Sequence, residues 1–249
     1  MGVAWSAPSI LEKLRSAIAC CRTAGRAGPT VLFTGHSFGG GCAILLRLHA
    51  LIDSGWIEAL RGCRVAAVTF GAPLVFGASS LNLEKYPDES SQAAIVRTVG
   101  ESTRNYVNQG DIIPRLLGPH ASSILSMLSL VSPGFGSPSE CGSGRRAAQY
   151  LGGVVGSVAG SYAPVGSFLF LYARGDEVFA RRVEACGSPS EAAELDRMLL
   201  PAKAAFMPYC IRDHSTALYV ALLSSVQDKT APSIDETAAA WTLGEAYDA

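Results

Sequence analysis

Gly35-His36-Ser37-Phe38-Gly39 sets a serine between two glycines in the pattern G-x-S-x-G, with further glycines at Gly40 and Gly41. A serine held at a sharp strand-to-helix corner has its hydroxyl lifted above the sheet, where it can attack a carbonyl carbon. The corner crowds side chains, so the positions two before and two after the serine are expected to be tiny. The helix that follows aims free N–H groups and the positive end of its dipole at the same point. The backbone N–H of Phe38 is the first of these and the candidate oxyanion donor. Losing one such donor typically costs about 3 kcal/mol of transition-state stabilisation.

A bare G-x-S-x-G arises often by chance, and a glycine-rich turn with an incidental serine is spelled the same way. The flanks decide between them. Val31, Leu32 and Phe33 form an apolar, β-favouring run before the serine, and residues 42–51 suit a buried helix after it. That is the context a nucleophile requires.

A serine hydroxyl is a poor nucleophile at neutral pH. It needs a histidine to take its proton, and that histidine needs a carboxylate to fix its tautomer. The chain has four histidines. His36 lies within the corner, and its side chain should diverge from that of Ser37. His49 lies more than two turns along the following helix, where a helix histidine bonded to its neighbours is the simpler reading. His214, in "IRDHSTALYVALL", follows every candidate acid, which is the order serine, acid, histidine found where the nucleophile sits in a G-x-S-x-G corner. It is the preferred base, with His120 as the alternative. Asp111 is the preferred acid, because it ends a strand-like run at the sheet edge where ligands bind in open α/β sheets. Asp176 reads as a turn residue, Asp213 as a helix cap, and Asp53 lies at the far end of the helix after Ser37.

Several elements must position these residues. Residues 6–26 have the pattern of an amphipathic helix with Ile10, Leu14, Ala17, Ile18 and Cys21 on one face, Ser6 as a cap, and Gly25 and Gly28 at its end. "CRVAAVTFGAP" reads as a buried strand running into a glycine turn, followed by a polar loop around residues 84–92. "AIVRTVG" and "NYVNQGD" read as strands, the second ending at Asp111. "FLFLYARGDEVFARRVE" reads as a hairpin turning at Gly175-Asp176. Helices are expected at residues 190–200 and 215–227.

The 249 residues suffice for one sizeable core, and a single domain over 1–249 is expected, with an irregular insertion at about 118–165 and a loosely held tail at about 228–249. Aliphatic runs among abundant Ala, Gly and Ser suit a mostly parallel sheet flanked by helices. A formal net charge of −1 with few charged residues leaves no electrostatic footprint for nucleic acid. The seven cysteines form no C-x-x-C, so zinc and redox centres are not indicated and an intracellular, reducing setting is favoured. Glu12, Lys13, Arg15 and Arg22 interrupt what would be the apolar part of a signal peptide. The uncharged stretch at 149–173 is long enough to span a bilayer, but its five glycines, three serines and mid-segment proline point to a loop leading into a strand at 167–173.

Taken together, these segments resemble the class 3, fungal-lipase-like branch of the α/β-hydrolases, as a plant or algal type of member. "TGHSFGG" is similar to that family's nucleophile corner, with Phe38 where leucine is usual. "VTFGAPLV" is similar to the strand and turn after the corner helix, "YVNQGDIIPRL" to the acid segment, "DHSTALYVALL" to the histidine segment, and "YAPVGSFLFLY" to a piece before the hairpin. The resemblance runs from about residue 30 to 226. It implies an α/β-hydrolase-like fold and cleavage of acylglycerol or phospholipid esters through an acyl-enzyme. Ser37 would be nucleophile, Asp111 orienting acid and His214 base, and no metal or organic cofactor is implied. In that family the second oxyanion donor comes from a loop well upstream. Here 36 residues precede Ser37 and read mostly as one helix, so an N-terminally shortened fold with an uncovered sheet edge is expected. The apolar block at 122–132 is a candidate lid or lipid-surface contact. Two other functions stay open: a lipase-fold binding or signalling module without catalysis, and a thioesterase or small-ester esterase.

Overall fold

The computed structural model describes residues 7–25, 28–77, 88–108, 110–115, 162–174, 177–185, 188–199 and 213–227. The expected lid at 122–132, most of the insertion and the tail at 228–249 lie outside these residues. In chain order the elements are α1 (Ala7–Thr23), β1 (Thr30–His36), α2 (Phe38–Ile52), α3 (Ser54–Ala59), β2 (Arg64–Phe70), β3 (Phe76–Gly77), α4 (Glu89–Glu101), β4 (Thr103–Asn108), a 3-10 turn (Ile113–Arg115), β5 (Tyr162–Ala163), β6 (Ser167–Arg174), β7 (Glu177–Glu184), α5 (Pro189–Leu199) and α6 (Thr216–Gln227).

Five strands form one sheet in the order β1-β2-β4-β6-β7. The first four run parallel and β7 closes the sheet as the antiparallel arm of the expected hairpin. This is the α/β-hydrolase-like class: a mostly parallel sheet with helices on its faces. The short strands β3 and β5 pair antiparallel, so the last residues of the expected irregular insertion are ordered against the segment after β2. Among the described residues β1 is an edge strand.

Strand alternation sorts the side chains onto two faces. On one face Val31 and Val65 meet Ile18 of α1, Ala50 of α2, and Trp56 and Leu60 around α3. Farther along the same face Val107, Phe168, Phe170 and Val183 meet Leu195 and Leu199 of α5. On the opposite face Phe70, Tyr106 and Leu171 pack against Tyr219 and Leu222 of α6. The sheet is therefore apolar on both sides, which is why "VAAV" in β2 is a continuous rather than alternating run. Within α1 the expected face holds for Ile18, which is buried, and for Ile10 and Leu14, which pack partly buried beside Leu11; Ala17 instead lies exposed.

One expected strand is overturned. "AIVRTVG", read as a strand, belongs to helix α4, and so does the end of the polar loop expected around 84–92. The Asp88 carboxylate accepts from the Ser91 N–H at 2.7 Å and from the Ser90 hydroxyl at 2.7 Å, capping the helix. These bonds hold its carboxyl down at about 2. Ile95, Val96 and Val99 then fall three and four residues apart and pack on Ile44 and Leu48 of α2. Tertiary packing and a cap outweigh the β-preference of the branched side chains.

Candidate active site

β1 delivers Ser37 to the C-terminal end of the sheet. The Ser37 N–H still donates to the Phe70 carbonyl at 2.9 Å, as the last rung of the β1–β2 ladder. The chain then turns with φ 57° and ψ −130° at Ser37 and enters α2 at Phe38. Ser37 is the one described non-glycine with positive φ, a conformation costing on the order of 1–3 kcal/mol that persists at functional sites.

The glycines around this corner are not equivalent. A Cβ on Gly35 would lie 2.3 Å from the Gly39 carbonyl carbon, so only glycine fits there. A Cβ on Gly39 would meet nothing within 4 Å, against the expectation that the position two after the serine must be tiny. The constraint falls one residue later: a Cβ on Gly40 would lie 2.7 Å from that of Ala72, where the helix crosses the segment after β2.

Asp111 follows β4 and is completely buried. Its carboxylate has a full set of donors. The His214 Nδ1 stands 3.0 Å from Oδ1 and 2.9 Å from Oδ2, the Tyr219 hydroxyl donates to Oδ2 at 2.7 Å, and the Ile113 N–H donates to Oδ1 at 2.9 Å. Such bonding is what makes a buried carboxylate tolerable. Because the carboxylate accepts a hydrogen bond from Nδ1–H, the lone pair of His214 sits on Nε2, as a general base requires. Burial, and then the Asp111 charge, push the Tyr219 phenol far above its ordinary value, so it remains a neutral donor.

Support for this pair comes from residues to which the sequence reading gave no role. Tyr219, one and a half turns past His214, also accepts from the Asn108 N–H at 2.9 Å. The Asn108 side chain donates to the Asp213 carbonyl at 3.0 Å. Buried Arg115 donates to the Asp111 carbonyl and, at 3.1 Å, to that of Met198, fixing the acid loop to α5. Gly71 has φ 57°, and a Cβ there would lie 2.4 Å from Asp111 Oδ2 and 3.0 Å from His214 Nδ1. The glycine after "VTF" was the available signal for that close approach.

The structure brings Asp111 and His214 into direct contact and stacks the His36 ring, one residue before Ser37, on the His214 ring at 4.5 Å. The Ser37 hydroxyl itself has no hydrogen-bond partner among the described residues, nor has the Phe38 N–H. Unliganded sites often leave the nucleophile–base bond open in this way. The disfavoured candidates lie elsewhere. His49 contacts Asp53 at 4.0 Å and stacks edge-on against Trp56. Asp53 caps α3 through the Trp56 N–H. Asp213 is not the cap of α6; the Ser215 hydroxyl accepts from the Leu218 N–H instead. His120 and Asp176 fall outside the described residues. Among the described residues no group of three His, Cys, Asp or Glu is placed to hold a metal, and no helix is long and apolar enough to cross a membrane.

Residues 3–120 match the family model described as lipase (class 3). The match spans just under half of the chain, and this part of it is similar to the class 3 lipases. The matched stretch holds Ser37, Phe38 and Asp111 and ends before His214, so the lipase-family match and the geometry meet at the acid. Among solved structures the chain is similar to the crystal structure of M37 lipase, with 16% identity over 55% of this chain and 36% of that one, at a TM-score of 0.33. The chain thus spans about a third of the M37 lipase it aligns with. None of the curated proteins matches it.

Proposed function

We propose that this protein is a serine hydrolase that cleaves carboxylic esters of lipids, acylglycerols or phospholipids, through an acyl-enzyme. The observation that carries the proposal is the hydrogen-bonded Asp111–His214 pair, packed through His36 against the end of the strand that leads into Ser37. In this reading Ser37 Oγ attacks the ester carbonyl while His214 Nε2 takes its proton, and Asp111 stabilises the imidazolium. The Phe38 N–H receives the developing oxyanion. Collapse of the tetrahedral intermediate expels the alcohol, which takes the proton from His214. Water, deprotonated by the same nitrogen, then attacks the acyl carbon, and the acid leaves as the bond to Ser37 Oγ breaks and that oxygen takes the proton back from His214. The family match supports a lipid ester, and so does the Phe38 ring, 65% exposed beside the nucleophile as an apolar surface for an acyl chain.

The test is hydrolysis of p-nitrophenyl esters of graded chain length and of emulsified acylglycerols, with acyl thioesters alongside. Turnover of long-chain oxygen esters that Ser37→Ala abolishes supports the proposal. A preference for thioesters would move the substrate class. A folded chain that turns over none of these would favour the binding or signalling module, a reading the unengaged Ser37 hydroxyl also permits.

A further inference from the structure

We infer that His36 is a positioning residue that holds the base against the nucleophile's strand; the inference rests on the function proposed above. His36 is the last residue of β1, in register with Phe70 of β2. Strand alternation therefore turns it to the face where Phe70 and Tyr219 pack, away from the helices that cover Val31 and Phe33. There its Nε2 lies 2.6 Å from the backbone carbonyl oxygen of His214. A carbonyl oxygen only accepts, so His36 donates through Nε2–H. Its ring lies over the His214 ring at 4.5 Å and 33°, and edge-on to Tyr219 at 5.8 Å.

The consequence lies in the chain around the base. Two successive carbonyls are pinned from opposite sides: that of Asp213 by the Asn108 side chain on the acid side, and that of His214 by His36 on the nucleophile side. Asp111 fixes the imidazole at Nδ1, which leaves the ring free to pivot about that bond unless the backbone is held as well. His36 supplies that hold from a residue covalently joined to Ser37, so a displacement of the elbow carries the base with it. A reacting geometry lost by about 1 Å costs on the order of 100-fold in rate.

The experiment compares the full chain with His36→Phe, which keeps a stacking ring and removes the donor, and with His36→Gln, which restores an N–H at similar reach. The readouts are kcat and KM on p-nitrophenyl butyrate and the Nδ1–H resonance of His214 in protein labelled with nitrogen-15 histidine. The expected result for His36→Phe is a fall in kcat of about 10- to 100-fold, with KM within about twofold and a broadened His214 resonance. His36→Gln should recover most of both. Should the phenylalanine variant not fold, His36→Asn, whose amide is too short to reach the carbonyl, takes its place. Unchanged kcat with an unchanged His214 resonance overturns the inference, as does a glutamine variant no better than phenylalanine. If the wild-type chain hydrolyses no ester, the proposed function fails first, and the His214 resonance alone then decides whether His36 holds it.

Discussion

The Tyr219 hydroxyl donates to Asp111 Oδ2 at 2.7 Å and accepts from the Asn108 N–H at 2.9 Å, so one buried phenol ties the acid's strand to the helix that follows the base. Tyr219→Phe removes the donor from a buried carboxylate and the acceptor from a buried N–H. The expected cost is about 1–3 kcal/mol, read as a lower urea midpoint, with kcat reduced about tenfold as the acid loosens. An unchanged midpoint would mean that neither bond supports the acid loop.

The same phenol sets an alkaline limit on stability. Burial and the Asp111 charge raise its folded value above the ordinary one, and burial raises Tyr106 in the same direction. Above a pH of about 10 the unfolded chain releases protons that the folded chain keeps, so stability falls as pH rises, by up to about 1.4 kcal/mol per pH unit for each phenol. Below that pH the phenols are protonated in both states and add no slope. Urea unfolding at pH 9 and pH 11 should show this loss in the wild type and a smaller one in Tyr219→Phe.

The glycines near the site separate space from sequence pattern. Gly35→Ala and Gly71→Ala each drive a Cβ to within 2.5 Å of a fixed atom, and both should lower the melting temperature sharply. Gly71→Ala should also lose activity, since it pushes directly on the Asp111 carboxylate. Gly39→Ala, in open space on α2, should melt at or above the wild-type temperature, because alanine is the better helix former by up to about 1 kcal/mol. A Gly39→Ala variant as unstable as Gly35→Ala would contradict this view of the corner.

These contrasts mark what was legible in the sequence. The corner at Ser37 and the contact of Asp111 with His214 followed from strand–turn–helix context and chain order; the roles of nucleophile, acid and base belong to the proposal. Sheet class followed from the unbroken apolar runs in β2 and β6. Arg115, Asn108 and Tyr219 were not legible as site residues, since their contacts join segments far apart in the chain. His36 was expected only to diverge from Ser37; its stacking on His214 depends on α6 crossing that sheet face. The strand expected at "AIVRTVG" failed because three-dimensional packing on α2, not β-preference, sets α4.

Asp111→Asn tests the tautomer directly. An amide in that place presents an N–H toward His214 Nδ1 and favours the proton on Nε2, the nitrogen that must accept from Ser37. A loss of about 10⁴-fold in kcat with little change in fold is expected. A loss under tenfold would show that the pair at 2.9 Å is structural rather than catalytic.

The most direct test of the central claim is covalent labelling of the folded chain with a fluorophosphonate probe, with the modified residue located by mass spectrometry. Labelling confined to Ser37, lost in Ser37→Ala and His214→Ala and kept in His120→Ala, is the predicted result. A folded chain that takes no label, or one labelled equally well without His214, would contradict the account.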